Sequence, residues 1–130
     1  MASWVVLVGA LSGFFSVLLG AFAAHGLKQR LTEKALSTFQ TGVDYQMYHS
    51  LGLVLLGLLM FQWPERALLK WSSLSMMLGM LLFSGSLYVL AISGISRLGI
   101  VTPFGGLLFL IAWFLLSLTA FNEGRLPTIT

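Results

Sequence analysis

The sequence predicts an all-α protein, a four-helix integral membrane bundle with an amphipathic helical segment between spans one and two. Three observations lead there. Of the 130 residues, 58% are hydrophobic and only 8% are charged, against the roughly 25% charge usual in soluble domains. The mean hydropathy of +0.95 is correspondingly high. The apolar residues are gathered into four runs, each close to the ~20 residues that a helix needs to cross the hydrocarbon core, and the charges stand between the runs. A buried helix of a soluble protein can mimic one such run, but not four in succession. No stretch is left for a separate soluble domain, so residues 1–130 read as a single transmembrane domain.

The flanks place the elements. Span one covers about residues 4–24 and stops at "HGLKQR". Its "AFAA" (Ala21 to Ala24) offers an A-x-A-like cleavage site, but the apolar run exceeds the 7–15 residues of a signal peptide and no Lys or Arg precedes it. It is therefore expected to stay as an anchor. In the segment that follows, "LKQRLTEKALSTFQTGV", Leu27, Leu31, Ala35, Phe39 and Val43 recur every four residues, with Leu36 beside them. Lys28, Arg30, Glu33 and Lys34 fall mostly elsewhere, so residues 32–44 read as an amphipathic helix with Thr32 as N-cap. It either lies on the membrane surface or runs on into span two. As one straight helix from Thr32 to Trp63 it would be ~45 Å long, well over the ~30 Å of hydrocarbon. A bend or a strong tilt is expected, with Gly42 as hinge. Span two covers about 45–63 and ends at "PER", span three about 71–93, and span four about 104–121 before the polar tail "NEGRLPTIT". Thr102 is a candidate cap for span four, and Pro103 suits its first turn.

Small residues mark the packing faces. Gly9, Gly13, Ser16, Gly20 and Ala23 fall within about 80° of one another at 100° per residue, a stripe that lets helix backbones approach closely. Ser72, Ser75, Gly79, Ser86 and Ser93 share a face of span three, as do Gly105, Ala112 and Thr119 of span four.

The stretch "TGVDYQMYHSLGL" (Thr41 to Leu53) is polar at the start of an apolar run. On a helical wheel Thr41, Asp44, Tyr45, Tyr48, His49 and Gly52 occupy an arc of ~140°, with Gln46 pointing away. Such an arc must face protein or water. If the helices alternate, Trp4, Trp63 and Trp71 form an aromatic belt at one face. Helical rise counted from these puts His25 ~31 Å away, Tyr88 ~26 Å and His49 ~21 Å. His25, Asp44, Tyr45, Tyr48, His49, Ser86 and Tyr88 are thus a candidate polar cluster near the opposite interface. Ser84, Ser86 or Tyr88 is the partner considered for one nitrogen of His49, and a water or a backbone carbonyl for the other. Ionisable groups inside a membrane are functional hypotheses by default. Three readings of His49 stand open: a structural hydrogen-bond knot, a ligand or proton site, and a metal or haem ligand.

Other chemistry is thinly represented. With no Cys, disulfides, Cys-ligated zinc and iron–sulfur clusters are excluded. Two histidines without a second acidic partner make a poor metal set, and no G-x-S-x-G, H-E-x-x-H or Walker-type loop occurs. No cofactor and no catalytic machinery are expected. The +3 charge is scattered over loops, which excludes nucleic acid and leaves membrane lipids, a second copy of the chain or another membrane protein as partners. The functional expectation is a structural or interaction module, or a binder of lipid or of a hydrophobic small molecule. The alternative is a proton- or solute-handling protein built on a polar pocket around His49.

The ordered motifs "GAFAAHGLK" (Gly20 to Lys28), "FQTGVDYQMYHSLGL" (Phe39 to Leu53), "FSGSLY" (Phe83 to Tyr88) and "TPFGG" (Thr102 to Gly106), with Trp113, resemble the YgdD-like small inner-membrane proteins. These are an uncharacterised domain-of-unknown-function family with a mitochondrial relative. The resemblance covers nearly the whole chain, with Ala112 in "LIAWF" where a glycine is expected. It implies a four-helix protein of the bacterial inner membrane and brings no catalytic or binding residue with it.

Loops one and three carry Lys28, Arg30, Lys34 and Arg97, and the opposite face carries Arg66, Lys70, Arg125 and the terminal amine. The positive-inside bias is nearly balanced, and loop one is taken as cytoplasmic. A reporter fused to the C-terminus is then expected to be active only outside the cytoplasm; activity confined to the cytoplasm reverses the assignment.

Overall fold

The structure is a computed structural model and describes residues 1–123. Four α-helices, α1 (Ala2–Phe22), α2 (Glu33–Gln62), α3 (Ala67–Ser93) and α4 (Thr102–Glu123), are joined by short connections, with no strand among the described residues. A π-helical turn, Ala23–Leu27, extends α1, and a 3-10 turn, Ser96–Ile100, precedes α4. Asn122 and Glu123, expected in the polar tail, belong to α4. The rest of that tail, Arg125 included, lies outside the described residues.

Local chemistry sets the ends. The Thr32 hydroxyl accepts the Ala35 N–H at 3.1 Å, capping α2 in the way a short side-chain oxygen satisfies an unpaired helix N–H. Helix α2 stops at Trp63, before Pro64, where the proline ring disfavours helical backbone in the preceding residue. Gly94, at φ +74, closes α3 in the left-handed conformation open to a residue without Cβ. The wider π turn after α1 directs Ala23 and Leu27 inward and leaves His25 exposed.

The amphipathic segment and span two are one continuous helix of 30 residues, about 45 Å long at 1.5 Å per residue. Gly42 does not interrupt it. Helical hydrogen bonding runs on through this residue, and its backbone is pressed against α3, where an added Cβ would stand 2.7 Å from Tyr88 Cε1. The glycine serves close packing.

Helix α1 packs along α2, α2 along α3, and α3 along α4, so α2 and α3 are the central pair and α1 and α4 flank them. Three segments, Ala2–Leu27, Ala67–Ser93 and Ser96–Glu123, are long and apolar enough to cross a membrane. Helix α2 is long enough but less apolar, because its polar residues from Asp44 to Ser50 interrupt the run. Its position between α1 and α3 buries His49 and Ser50 and half-buries Gln46, while Tyr45 and Tyr48 stay exposed. One apolar core joins Val5, Leu53, Leu56, Leu69, Met76, Met80, Phe109 and Ala112, and a second joins Ala23, Leu27, Phe39, Val43 and Ala91. Phe14, Leu18, Leu81, Leu110 and Phe121 point outward, with Trp4 and Trp71. Soluble proteins rarely expose an apolar coat of this extent, and in a bilayer it faces lipid.

Without a hydrophobic force between helices in lipid, small residues and interhelical hydrogen bonds hold them together. At the α1–α2 contact, a Cβ on Gly9 would sit 2.9 Å from both Ser50 O and Val54 N. Gly57 lies equally close to the backbone of Val6 and Ala2. The Ser16 hydroxyl donates to Val43 O at 2.9 Å. Gly20 rests against the Val43 side chain, whereas Gly13, in the same stripe, meets only Ser50 Cβ at 3.8 Å. At the α3–α4 contact, Gly79 faces the Phe109 ring and Gly105 lies against the Phe83 backbone. The Ser72 hydroxyl donates to Ala112 O at 2.7 Å, so Ala112 is in close contact although it is not glycine. Ser93 of the span-three stripe is exposed and bonds only within its own turn.

At the end where α3 begins and α4 finishes, Arg66 forms an ion pair with Glu123, whose side chain is buried while that of Arg66 is half exposed.

Backbone atoms at the Gly9 contact have nowhere to move, while those at Gly13 have room. Gly9→Ala is expected to destabilise the protein in detergent by about 1–3 kcal/mol, the usual cost of overpacking. Gly13→Ala should leave it unchanged or slightly stabilised, since alanine favours helix. Thermal unfolding of the two variants checks the difference.

Candidate functional site

His49 lies halfway along α2 and is only 4% exposed. Its ring stacks on Phe109 of α4, with centroids 3.5 Å apart and planes 6° from parallel. The Trp113 indole N–H, one turn further along α4, donates to His49 Nε2 at 3.0 Å. An indole nitrogen only donates, so Nε2 carries no proton. Nδ1 then holds the proton and donates it to Tyr45 O, 2.7 Å away on the preceding turn. The imidazole is neutral, in one tautomer, with both nitrogens occupied. Tyr45 continues the aromatic layer, 4.6 Å from the Phe83 ring and 6.3 Å from that of Phe109.

A second polar network occupies the next face of α2. Gln46 donates its amide to Ser12 O at 2.9 Å and lies 3.3 Å from Ser12 Oγ. Its carbonyl accepts the Tyr88 hydroxyl at 2.5 Å. The Ser50 hydroxyl is 2.7 Å from Ser12 Oγ and 2.6 Å from Gln46 O. The Met80 sulfur closes the group, 3.7 Å from Ser12 Oγ and 3.9 Å from Ser50 Oγ. Nearby, Ser84 donates to Gly42 O at 2.7 Å. This network links α1, α2 and α3, as His49 links α2 to α4.

The seven residues of the expected cluster are therefore divided. Tyr45 and His49 share one layer, and the Tyr48 ring lies tilted against that of Tyr45, centroids 5.7 Å apart, while remaining 56% exposed. Tyr88 pairs with Gln46 and packs on Phe39, on a different face of α2 from His49. Ser86 meets the hydroxyl of Thr102, the first residue of α4, at 2.6 Å and ties that helix to α3. Asp44 accepts from Gln40 at 2.9 Å on its own helix. His25 is exposed on the π turn, away from these contacts. None of Ser84, Ser86 or Tyr88 is the partner of His49; Trp113 is.

Shared depth misled here, because residues at one level of a bundle still point in different directions about the helix axis. Gln46, Ser12 and Ser50 were not among the candidates. Their signal was Gln46 and Ser50 one turn apart on α2, with Ser12 off the small-residue stripe of span one. Among the described residues, no group of three or more His, Cys, Asp or Glu is placed to hold a metal ion.

A helical bundle with polar contacts turned inward and an apolar coat outward defines a multi-pass integral membrane protein. The model of the family described as "Protein of unknown function (DUF423)" matches residues 19–106, and the chain belongs to that family. It is 42% identical over 117 residues to the UPF0382 membrane protein SH2409 of Staphylococcus haemolyticus, covering 90% of this chain and 94% of the relative. A UPF0382 membrane protein of Haemophilus influenzae is 47% identical over 117 residues, covering 90% and 93%. The UPF0382 inner membrane protein YgdD of Escherichia coli is 40% identical over 122 residues, covering 94% and 92%. No solved structure matches the chain. Like these relatives it is a membrane protein, of the bacterial inner membrane.

Interhelical hydrogen bonds in bilayers average ~0.6 kcal/mol and reach ~1.7. A double-mutant cycle of Trp113→Phe and His49→Leu, read by unfolding in detergent, is expected to give a coupling energy in that range. His49→Gln, which keeps a donor and an acceptor, should be milder than His49→Leu.

Proposed function

We propose that this protein is a non-catalytic membrane module that acts through its lipid-facing surface, holding lipid, a hydrophobic small molecule or a membrane-protein partner. The observation that carries this reading is the state of His49. It is the most deeply placed ionisable group of α2, both its ring nitrogens are occupied by groups of the bundle, and one face is covered by Phe109. A histidine so held serves cohesion between α2 and α4. A general base or proton carrier needs a lone pair directed at substrate or at a water path. Here the Nε2 lone pair points at an indole N–H.

The outer surface supports the same reading, since large apolar side chains cover it between the two ends of the bundle. The alternative of a proton- or solute-handling protein has its test in sealed vesicles. With the purified protein reconstituted and a pH gradient imposed, wild type and His49→Gln are expected to dissipate the gradient at the same rate as protein-free vesicles. Faster decay with wild type, abolished in His49→Gln, overturns the proposal.

A further inference from the structure

The Ser12–Gln46–Tyr88 network differs from the His49 layer in one respect: it is not sealed. An open groove of about 350 Å³ runs between α1 and α3, with the bonded pair Gln46 of α2 and Tyr88 in its floor and Val8, Ser12, Met77 and Leu81 along its sides. Ser12, Gln46 and Tyr88 are all half-buried rather than buried. Their depth makes this unexpected. Ser12 is ten residues into α1 and Gln46 thirteen into α2, about 15 and 20 Å from the helix starts at 1.5 Å per residue. Met80 stands at the midpoint of α3. The groove thus opens toward hydrocarbon near mid-membrane, where an exposed polar group is costly without a partner.

The hydrogen bonds within the groove state what partner would fit. The Gln46 amide protons go to Ser12, the Tyr88 proton to Gln46, and the Ser84 proton to Gly42 O. What remains is acceptor capacity: the lone pairs of Tyr88 Oη and the second lone pair of Gln46 Oε1, Ser84 being buried. A ligand must bring a donor. A charged amine is expensive at this depth, and no acidic side chain lines the groove to offset it. A neutral hydroxyl has no such cost. The walls beside the polar floor are the flexible side chains of Met77 and Met80 with Leu81, which adapt to an irregular apolar chain.

We propose that the groove between α1 and α3 binds a neutral lipid-soluble alcohol, its hydroxyl donating to the Tyr88–Gln46 floor and its hydrocarbon lying along Met77 and Leu81. This rests on the reading of the protein as a module acting through its lipid-facing surface, and it names the chemistry recognised.

Gly85 supplies the test. It lines the groove, and nothing lies within 4 Å of the position a Cβ would take there, so the side chain of Gly85→Leu starts in open space and is directed to fill the groove. Farnesol is the probe, and farnesyl methyl ether, which keeps the chain and loses the donor, is the control. In detergent, farnesol is expected to raise the unfolding midpoint saturably, as a ligand of the native state does. The ether should bind about tenfold more weakly, the value of one hydrogen bond. Gly85→Leu should unfold at the wild-type midpoint without probe and lose the farnesol response. Tyr88→Phe should weaken farnesol with no effect on the ether. Equal responses to the two probes would mean that the groove takes any hydrocarbon chain, and a response surviving in Gly85→Leu would place binding elsewhere. Either result overturns the proposal and leaves the vesicle experiment on His49 unaffected. Gradient decay that depends on His49 would undo the broader reading whatever farnesol does.

Discussion

The structure depends on where α2 can place its polar side chains. Between Asp44 and Ser50 this helix carries a carboxylate, two phenols, an amide, an imidazole and a hydroxyl. In hydrocarbon each unsatisfied polar group costs several kcal/mol. A helix of that composition is stable at such depth only with protein on more than one side. That is its position: α1 and α3 receive Gln46 and Ser50, and α4 receives His49. The polar face of α2 therefore selects which helices are neighbours and how each is rotated about its axis.

Small residues then set how near the neighbours come. Gly9 and Gly57 bring α1 and α2 to backbone contact, and Gly79 and Gly105 do the same for α3 and α4. Serines exploit the short distance. Ser16 and Ser72 reach carbonyl oxygens of the facing helix, which they could not do across two layers of leucine. In α3 and α4 small residues repeat every seven positions, Ser72, Gly79 and Ser86 on one helix and Gly105, Ala112 and Thr119 on the other, and Ser72–Ala112 and Gly79–Gly105 meet directly. This is the period of helices that supercoil gently around each other.

The two polar groups of α2 have opposite relations to the membrane. The His49 layer is closed by Phe109, Trp113 and Tyr45, and its chemistry ends inside the protein. The Gln46 network has its protons bound within the bundle and its remaining lone pairs at the edge of a lipid-facing groove. A single turn of helix thus separates a cohesive element from an acceptor surface. This contrast directs attention away from the histidine, the more reactive group, and toward a glutamine and a tyrosine.

The sequence by itself determined the class, the number of helices and most of their ends. These follow from local quantities: apolar run length, the Thr32 cap, the Trp63–Pro64 stop, and small residues at helical spacing. It also marked residues 41–53 as the stretch that needs explaining. What it did not determine was direction. Depth along a helix can be counted from a tryptophan belt, but the partner of a side chain depends on the rotation of its helix and on which helix lies opposite. The tertiary structure decided both. It gave His49 to Trp113 instead of Ser84, Ser86 or Tyr88, gave Tyr88 to Gln46, left His25 outside, and made Gly42 a contact where chain length alone suggested a hinge. Hydropathy and periodicity fix what a helix must bury; only the packed bundle fixes against what.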